Sequence, residues 1–474
     1  MQPIASSLDQ NYERNSATGL VATNTKLKPP KESEFQFISI QNPADAKDRD
    51  KRRLARSHAV RQGLQKRRKL QQASSSGNTS GWTSLPWVAF APASAYGPFE
   101  TIFGDSPKLR ALLSHDVARQ AVEPVFSIAD PVIFQDFQSV FRTDLDDPAL
   151  LNAVKLTFAF AVTGGNIDHE CLNYQNQAMS AIRKRMSSPD MALSLPTLGA
   201  ILLLAGVEAR LGMRWQVQLH MNAIRRLLDL SKSRTIYLTD GIKRAIFWQD
   251  LNSSVMTGSE RTVDYPTFEE LHWIRDPFAP EFFVLAPGFQ EMVHLFSEDF
   301  VEVLKDIHAL QCIQSIPDYS CQNAIEMRRV DNQQASIGSR LVELPKLSAF
   351  MEACYLAAYL SACMLCSKVW RHSVMPSHVS MHLLKTIHES DDDPLWNDHP
   401  DLLTWTLYIG GSFSPKGAIR SDYKAILQTL RVSRFGEKYT SLPELIQILD
   451  QFIWSAKAYL AQVEEFWNEM QVAP

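Results

Sequence analysis

From about Phe99 onward, apolar residues recur at helical spacing, and Val/Ile/Tyr alternation between hairpin turns is almost absent. A strand needs a period of two and a helix a period of 3.6, so this pattern buries its apolar atoms through helices. The periodic stretches are 107–122, 130–141, 148–162, 169–186, 196–211, 215–230 and 240–251. They continue at 287–312, 341–371, 376–389, 399–410, 419–433 and 441–469. Pro107, Pro148 and Pro196 fall where a first helical turn is expected, where the missing N–H costs little. Gly164-Gly165 and Gly410-Gly411 follow apolar stretches and read as helix C-caps. No period of 20 to 50 residues repeats, so a regular solenoid is not expected. The expected fold is all-α, an irregular multi-helix body over 99–474. The stretch 255–285, with Pro266, Pro277 and Pro280, is the expected internal break.

The N-terminal region is organised differently. Residues 1–34 are polar and non-periodic and are expected to be disordered. Residues 35–72 combine a short apolar alternation, FQFISI, with a basic stretch whose Ala, Arg, Lys, Gln and Leu favour helix. Residues 73–98 form a linker, beginning with the Ser/Gly run ASSSGNTSG and continuing with Trp82, Trp87, Phe90 and Tyr96 among prolines.

Charge is uneven along the chain. Between 47 and 69 eleven Lys or Arg stand against two Asp, a formal +9. With the whole chain at -4, the remaining 451 residues carry -13. A short, strongly basic segment on an acidic body is a partner-binding pattern. Lys66, Arg67, Arg68 and Lys69 make an import-type cluster, and Lys51, Arg52 and Arg53 make a second one upstream, with Arg56 and Arg61 between them. These cations suit the acidic groove of a nuclear import receptor, and they equally suit a phosphate backbone contacted without sequence preference. A basic zipper would need apolar heptads directly downstream, where ASSSGNTSG stands instead.

Metal and catalytic motifs fare poorly against plainer readings. Cys363 and Cys366 have ligand spacing, with Cys354 nearby, but they lie in an apolar helical run and read as core cysteines. Cys312 and Cys321 lack a close partner, and no cysteine accompanies the basic segment. The segment His169-Glu170-Cys171-Leu172-Asn173 begins like a zinc-protease helix, but Asn173 stands where the second histidine ligand belongs. There is no phosphate-binding P-loop, no G-x-G-x-x-G and no G-x-S-x-G elbow. No cofactor and no metal are expected, and the chain does not read as an enzyme. A site assembled from dispersed residues would require His169, Glu170 or His220 to face a polar pocket.

Six cysteines in 474 residues fit a reducing compartment. The first 40 residues hold no apolar run of the signal type, and the acidic Asp9, Glu13, Glu32 and Glu34 do not suit a transit peptide. The uncharged runs 191–207 and 353–367 fall short of a comfortable membrane span of about 20 residues. They read as buried helices of a soluble protein with no membrane partner.

Two parts of the chain resemble a known group. FQFISIQNPADAKDRDKRRLARSHAVRQGLQKRRK resembles the N-terminal block of fungal transcription-factor-like proteins. The matching positions are Phe37, Ile38, Pro43, Lys47, Arg53, Arg56, Ser57, His58 and Arg61. The body resembles the fungal-specific transcription factor domain, the helical regulatory region often found behind a binuclear zinc cluster. The matching stretches are DPALL at 147–151, NYQNQAMSAIRKRM at 173–186 and TLGAILLLAGVEARLG at 197–212. QLHMNAIRRLLDL at 218–230 and AIFWQDL at 245–251 also match.

The six-cysteine cluster that reads DNA in that family is missing, and Ser231-Lys232-Ser233 replaces two glycines in what is expected to be a turn. The resemblance implies a nuclear transcription regulator whose helical body binds other transcription regulators or a small effector. An alternative is an accessory or scaffold protein of a biosynthetic gene cluster that does not itself bind DNA.

Overall fold

The computed structural model describes residues 147–275, 280–315, 324–365, 374–430 and 439–471. The basic segment, the linker and the expected helices at 107–122 and 130–141 lie outside the described residues. Sixteen α-helices and several short 3₁₀ turns account for the described regular structure, and no strand occurs among the described residues. The all-α expectation holds.

Local chemistry sets where the first helices start. Asp147 accepts hydrogen bonds from the amides of Ala149 and Leu150, and Pro148 fills the first helical position, so α1 runs Pro148–Val162. Gly164 and Gly165, at φ of 64° and 85°, end it in the left-handed region. Asp168 caps α2, His169–Arg185, by accepting from the amide of Cys171. A short α3, Pro189–Ala192, precedes α4, Leu195–Arg210.

From Thr197 to Ala209 every residue of α4 is buried. A helix apolar on all sides belongs inside a core. It is surrounded by α1, α2, α5 (Arg214–Arg234) and α6 (Asp240–Thr257). These helices and the turns after α6 form one apolar cluster, from Ala149 to Leu271.

A second cluster spans Leu285 to Met470. Its helices are α7 (Pro287–Gln290), α8 (Glu298–Ser315), α9 (Ala324–Glu343), α10 (Ala349–Leu365), α11 (Val374–Glu389) and α12 (Leu395–Asp398). They continue with α13 (Pro400–Ser412), α14 (Ala418–Leu430), α15 (Leu442–Leu449) and α16 (Ala456–Gln471). Here α10 and α13 are the enclosed helices: α8, α9 and α11 pack on α10, and α14, α15 and α16 pack on α13. Burying a large apolar side chain contributes about 1.5–3 kcal/mol. The core of this cluster includes Trp396, Trp405, Tyr408, Tyr459 and Phe466.

Several sequence expectations are corrected. Gly410 and Gly411 are not caps but interior residues of α13. A Cβ at Gly410 would fall on the Tyr423 phenol, and one at Gly411 on the Phe466 ring, so glycine there admits α14 and α16 at close range. Ser231-Lys232-Ser233 makes no turn; α5 continues to Arg234 and ends at Thr235, whose φ is 55°. The stretch 341–371 is interrupted at Pro345, and 441–469 is split at 450–455.

The largest difference is α9, for which the sequence pattern offers no helix. Its polar residues Asp331, Asn332, Gln333, Gln334, Ser336 and Ser339 are buried. Apolar periodicity is blind to a helix that buries polar side chains.

Candidate functional site

Helix α9 lies between the two clusters. Its Ala335 belongs to the first, its Val330, Ile337 and Leu341 to the second, and Val342 packs against both. An unpaired buried polar group costs about 1–3 kcal/mol, so the polar residues of α9 need partners from both sides. They have them. Asp331 pairs with Arg244 of α6, whose Nη2 also donates to Asn332 at 2.6 Å. Asn332 Nδ2 donates to the carbonyls of Glu270 and His272 at 3.0 and 3.2 Å. On the other side Gln333 Nε2 donates to the Asp306 carbonyl of α8 at 2.9 Å, and Arg340 pairs with the Asp306 carboxylate. Burial pushes the Asp331 carboxyl above its usual range, and Arg244 opposes that rise.

The same logic fixes the end of α6. Gly258 closes the helix at φ 65°, its amide donating to the Ser254 carbonyl at 2.8 Å. Asp250 then holds the following loop, accepting from Arg261 Nε at 2.7 Å and from the amides of Thr262 and Val263. Arg261 Nη1 reaches Ser339 of α9 at 3.2 Å. Gly338 gives Leu251 room to approach α9, since a Cβ there would stand 3.0 Å from it. The ends of α6 and α9 are thus fastened side by side.

Beside them opens a cavity of about 680 Å³, bounded also by α10 and α11. Two helical stripes on neighbouring helices line it. Glu352, Tyr355, Leu356 and Tyr359 line it from α10, and His378, Met381, His382 and Lys385 from α11. Both sets follow i, i+3, i+4, i+7, which is one face of a helix. Val255, Met256, Leu341, Val342 and Leu344 supply apolar wall from the ends of α6 and α9. The cavity's volume lies within the range that small-molecule pockets span.

Its charges are specific. Lys346, in the turn before α10, pairs with Glu352, and His382 Nε2 stands 3.6 Å from the same carboxylate. Burial holds the His378 imidazole down to about 4; the neighbouring His382 acts in the same direction, and a hydrogen bond to the Val255 backbone opposes them. His382 is also lowered, first by burial, with Glu352 and Glu389 opposing and Lys346 and Lys385 adding to the effect. Near neutral pH both imidazoles are therefore hydrogen-bonding groups without charge.

The residues singled out from sequence lie elsewhere. Lys51, Arg52, Arg53, Arg56, Arg61, Lys66, Arg67, Arg68 and Lys69 are outside the described residues. His169 is exposed, Glu170 accepts from Tyr174 at 2.7 Å, and His220 pairs with the buried Glu208 at 3.0 Å. None of the three lines the cavity. Cys354 is buried and its thiol is pushed up by burial, while burial takes Cys363 to about 12. Neither supplies a thiolate near neutral pH. Cys321 and Cys366 lie outside the described residues. No group of three His, Cys, Asp or Glu able to hold a metal ion occurs among the described residues. No described helix is long and apolar enough to cross a membrane.

Sequence reasoning missed the cavity, although one signal was present. His378, Met381, His382 and Lys385 share a stripe within a stretch correctly read as helical. Comparison with protein-family models, with curated proteins and with solved structures finds no match for this chain.

Proposed function

We propose that the chain is a nuclear transcription-regulatory protein whose helical body binds a small effector or a partner regulator. The observation that carries the reading is the +9 segment at 47–69 set on a body of formal charge -13. Such a segment meets an import receptor's acidic groove, and it contacts DNA phosphates without reading bases. The resemblance to the fungal transcription factor regulatory domain supports the same role for the body. The cavity between α6, α9, α10 and α11 adds a place where a small molecule would touch helices of both apolar clusters at once. In this reading the body binds and does not catalyse, and it needs no cofactor.

Affinity of the intact chain for DNA, measured against salt, tests the phosphate contact. The reading expects a log-log slope of several negative units, and a flat slope removes it.

A second reading is an accessory protein that acts on another regulator without touching DNA. Two observations favour it. No cysteine accompanies the basic segment, and Trp215 and Leu219, one turn apart on α5, are largely exposed. Exposed aromatic and aliphatic groups of this kind suit a protein contact. Genomic occupancy that survives loss of every candidate partner would contradict this second reading.

A further inference from the structure

We propose that the cavity between α6, α9, α10 and α11 takes an uncharged, mostly apolar organic molecule whose carbonyl or hydroxyl oxygen meets the His382 imidazole. This assignment rests on the effector-binding reading above and names the class of ligand.

The formal charges of the lining are Lys346, Glu352 and Lys385, and each already has its opposite. Lys346 pairs with Glu352, and Lys385 stands 3.4 Å from Glu389. The two lysine side chains are 63% and 72% exposed, so both ammonium groups sit in water at the rim. A charged ligand of either sign would give up hydration here without gaining a counterion, or would have to break one of these pairs.

An uncharged ligand meets no such cost. Val342, Leu344, Leu356 and Met381 give it apolar wall, and covering them removes that surface from water. Burial keeps the His378 and His382 imidazoles neutral near neutral pH. A neutral imidazole offers one donor and one acceptor nitrogen. His378 is engaged by the Val255 backbone. His382 Nε2 is 3.6 Å from the Glu352 carboxylate, beyond hydrogen-bond distance, and its side chain is 36% exposed. The His382 ring therefore remains open to a ligand oxygen: its N–H can donate to a carbonyl, and its other nitrogen can accept from a hydroxyl.

The test uses the full chain and three fluorescent naphthalene probes. N-phenyl-1-naphthylamine is uncharged, and 8-anilinonaphthalene-1-sulfonate is the same aromatic body as an anion. The third, 6-propionyl-2-dimethylaminonaphthalene, is an uncharged ketone whose emission moves to the blue when its carbonyl loses a hydrogen bond. The expected result is saturable binding of one amine per chain, about tenfold tighter than the sulfonate. Glu352→Gln releases Lys346 from its pair and should tighten the sulfonate relative to the amine by about fivefold. His382→Phe should weaken the ketone about fivefold relative to the amine and move the emission of the bound ketone to the blue. Met381→Trp, which fills the cavity, should remove all three probes. If it does not fold, Leu356→Trp fills the same space from α10.

Sulfonate binding as tight as the amine, and lost with Met381→Trp, overturns the uncharged assignment and leaves the effector cavity standing. A ketone whose affinity and emission ignore His382→Phe overturns the role given to that imidazole. Absence of binding, or binding that ignores the cavity-filling variants, overturns the assignment and the effector reading of this cavity together.

Discussion

Replacing His378 by Gln removes an imidazole that folding holds neutral and keeps a side chain able to donate to the Val255 carbonyl. In the unfolded chain this group titrates near 6.5, and in the folded protein near 4. The sign follows from which state takes up the proton. Above pH 6.5 both states are neutral and His378 contributes nothing to the pH dependence. As pH falls below 6.5 the unfolded chain binds a proton at this site and the folded protein does not, so stability is lost. Each pH unit in that window costs about 1.4 kcal/mol, and the whole interval down to 4 costs about 3 kcal/mol. The groups acting on this imidazole are His382 on its own helix and the Val255 backbone of α6.

The assay is urea denaturation of the wild type and His378→Gln at pH 7, 6, 5 and 4.5, followed by circular dichroism. Carboxylates that titrate in both proteins cancel in the comparison. The wild type should lose about 2–3 kcal/mol relative to the variant between pH 7 and pH 4.5, with no divergence above pH 7. Parallel profiles would show that the imidazole titrates alike in both states, and would refute the burial argument for this cavity wall.

Other predictions follow from the packing. Gly411→Ala should destabilise the protein by about 1–3 kcal/mol, because its methyl group meets the Phe466 ring inside α13. Thermal unfolding checks this, and an unchanged midpoint would contradict the packing. Thr235→Gly should stabilise by about 1 kcal/mol, since a β-branched residue sits at φ 55° at the end of α5. Asp331→Ala should cost about 3–5 kcal/mol by leaving Arg244 buried without its carboxylate. The double replacement Arg244→Met, Asp331→Leu should recover much of that loss in a double-mutant cycle.

What the sequence makes legible follows from what periodicity measures. The enclosed helices α4 and α10 are long apolar runs and are plain in the sequence, as are the helix start at Pro148 and the cap at Gly164. Helix α9 was hidden because its buried side includes Asp331, Asn332, Gln333 and Gln334. Asp331 and Asn332 find partners as far as 88 positions away, such as Arg244. Val330, Ile337 and Leu341 do mark a stripe, but the polar residues between them mask it. Gly410 and Gly411 were misread because a glycine that ends a helix and one that admits a neighbouring ring look alike in one dimension.

The cavity was illegible for a similar reason. Its walls come from four helices whose approach depends on the α6–α9 hydrogen bonds, and its histidines stand out only once Lys346, Glu352 and Lys385 are seen around them. The basic segment is the opposite case, since its +9 charge is plain from sequence alone.

Under the proposed function, this bounded basic segment brings the acidic helical body to the nucleus. The most direct measurement is the nuclear-to-cytoplasmic ratio of the full chain fused to a fluorescent protein. It is compared with the variant in which Lys66, Arg67, Arg68 and Lys69 are all alanine. Nuclear accumulation of the wild type, lost in the variant, is the expected result. A wild-type protein that stays cytoplasmic, with a distribution the four substitutions leave unchanged, would contradict it.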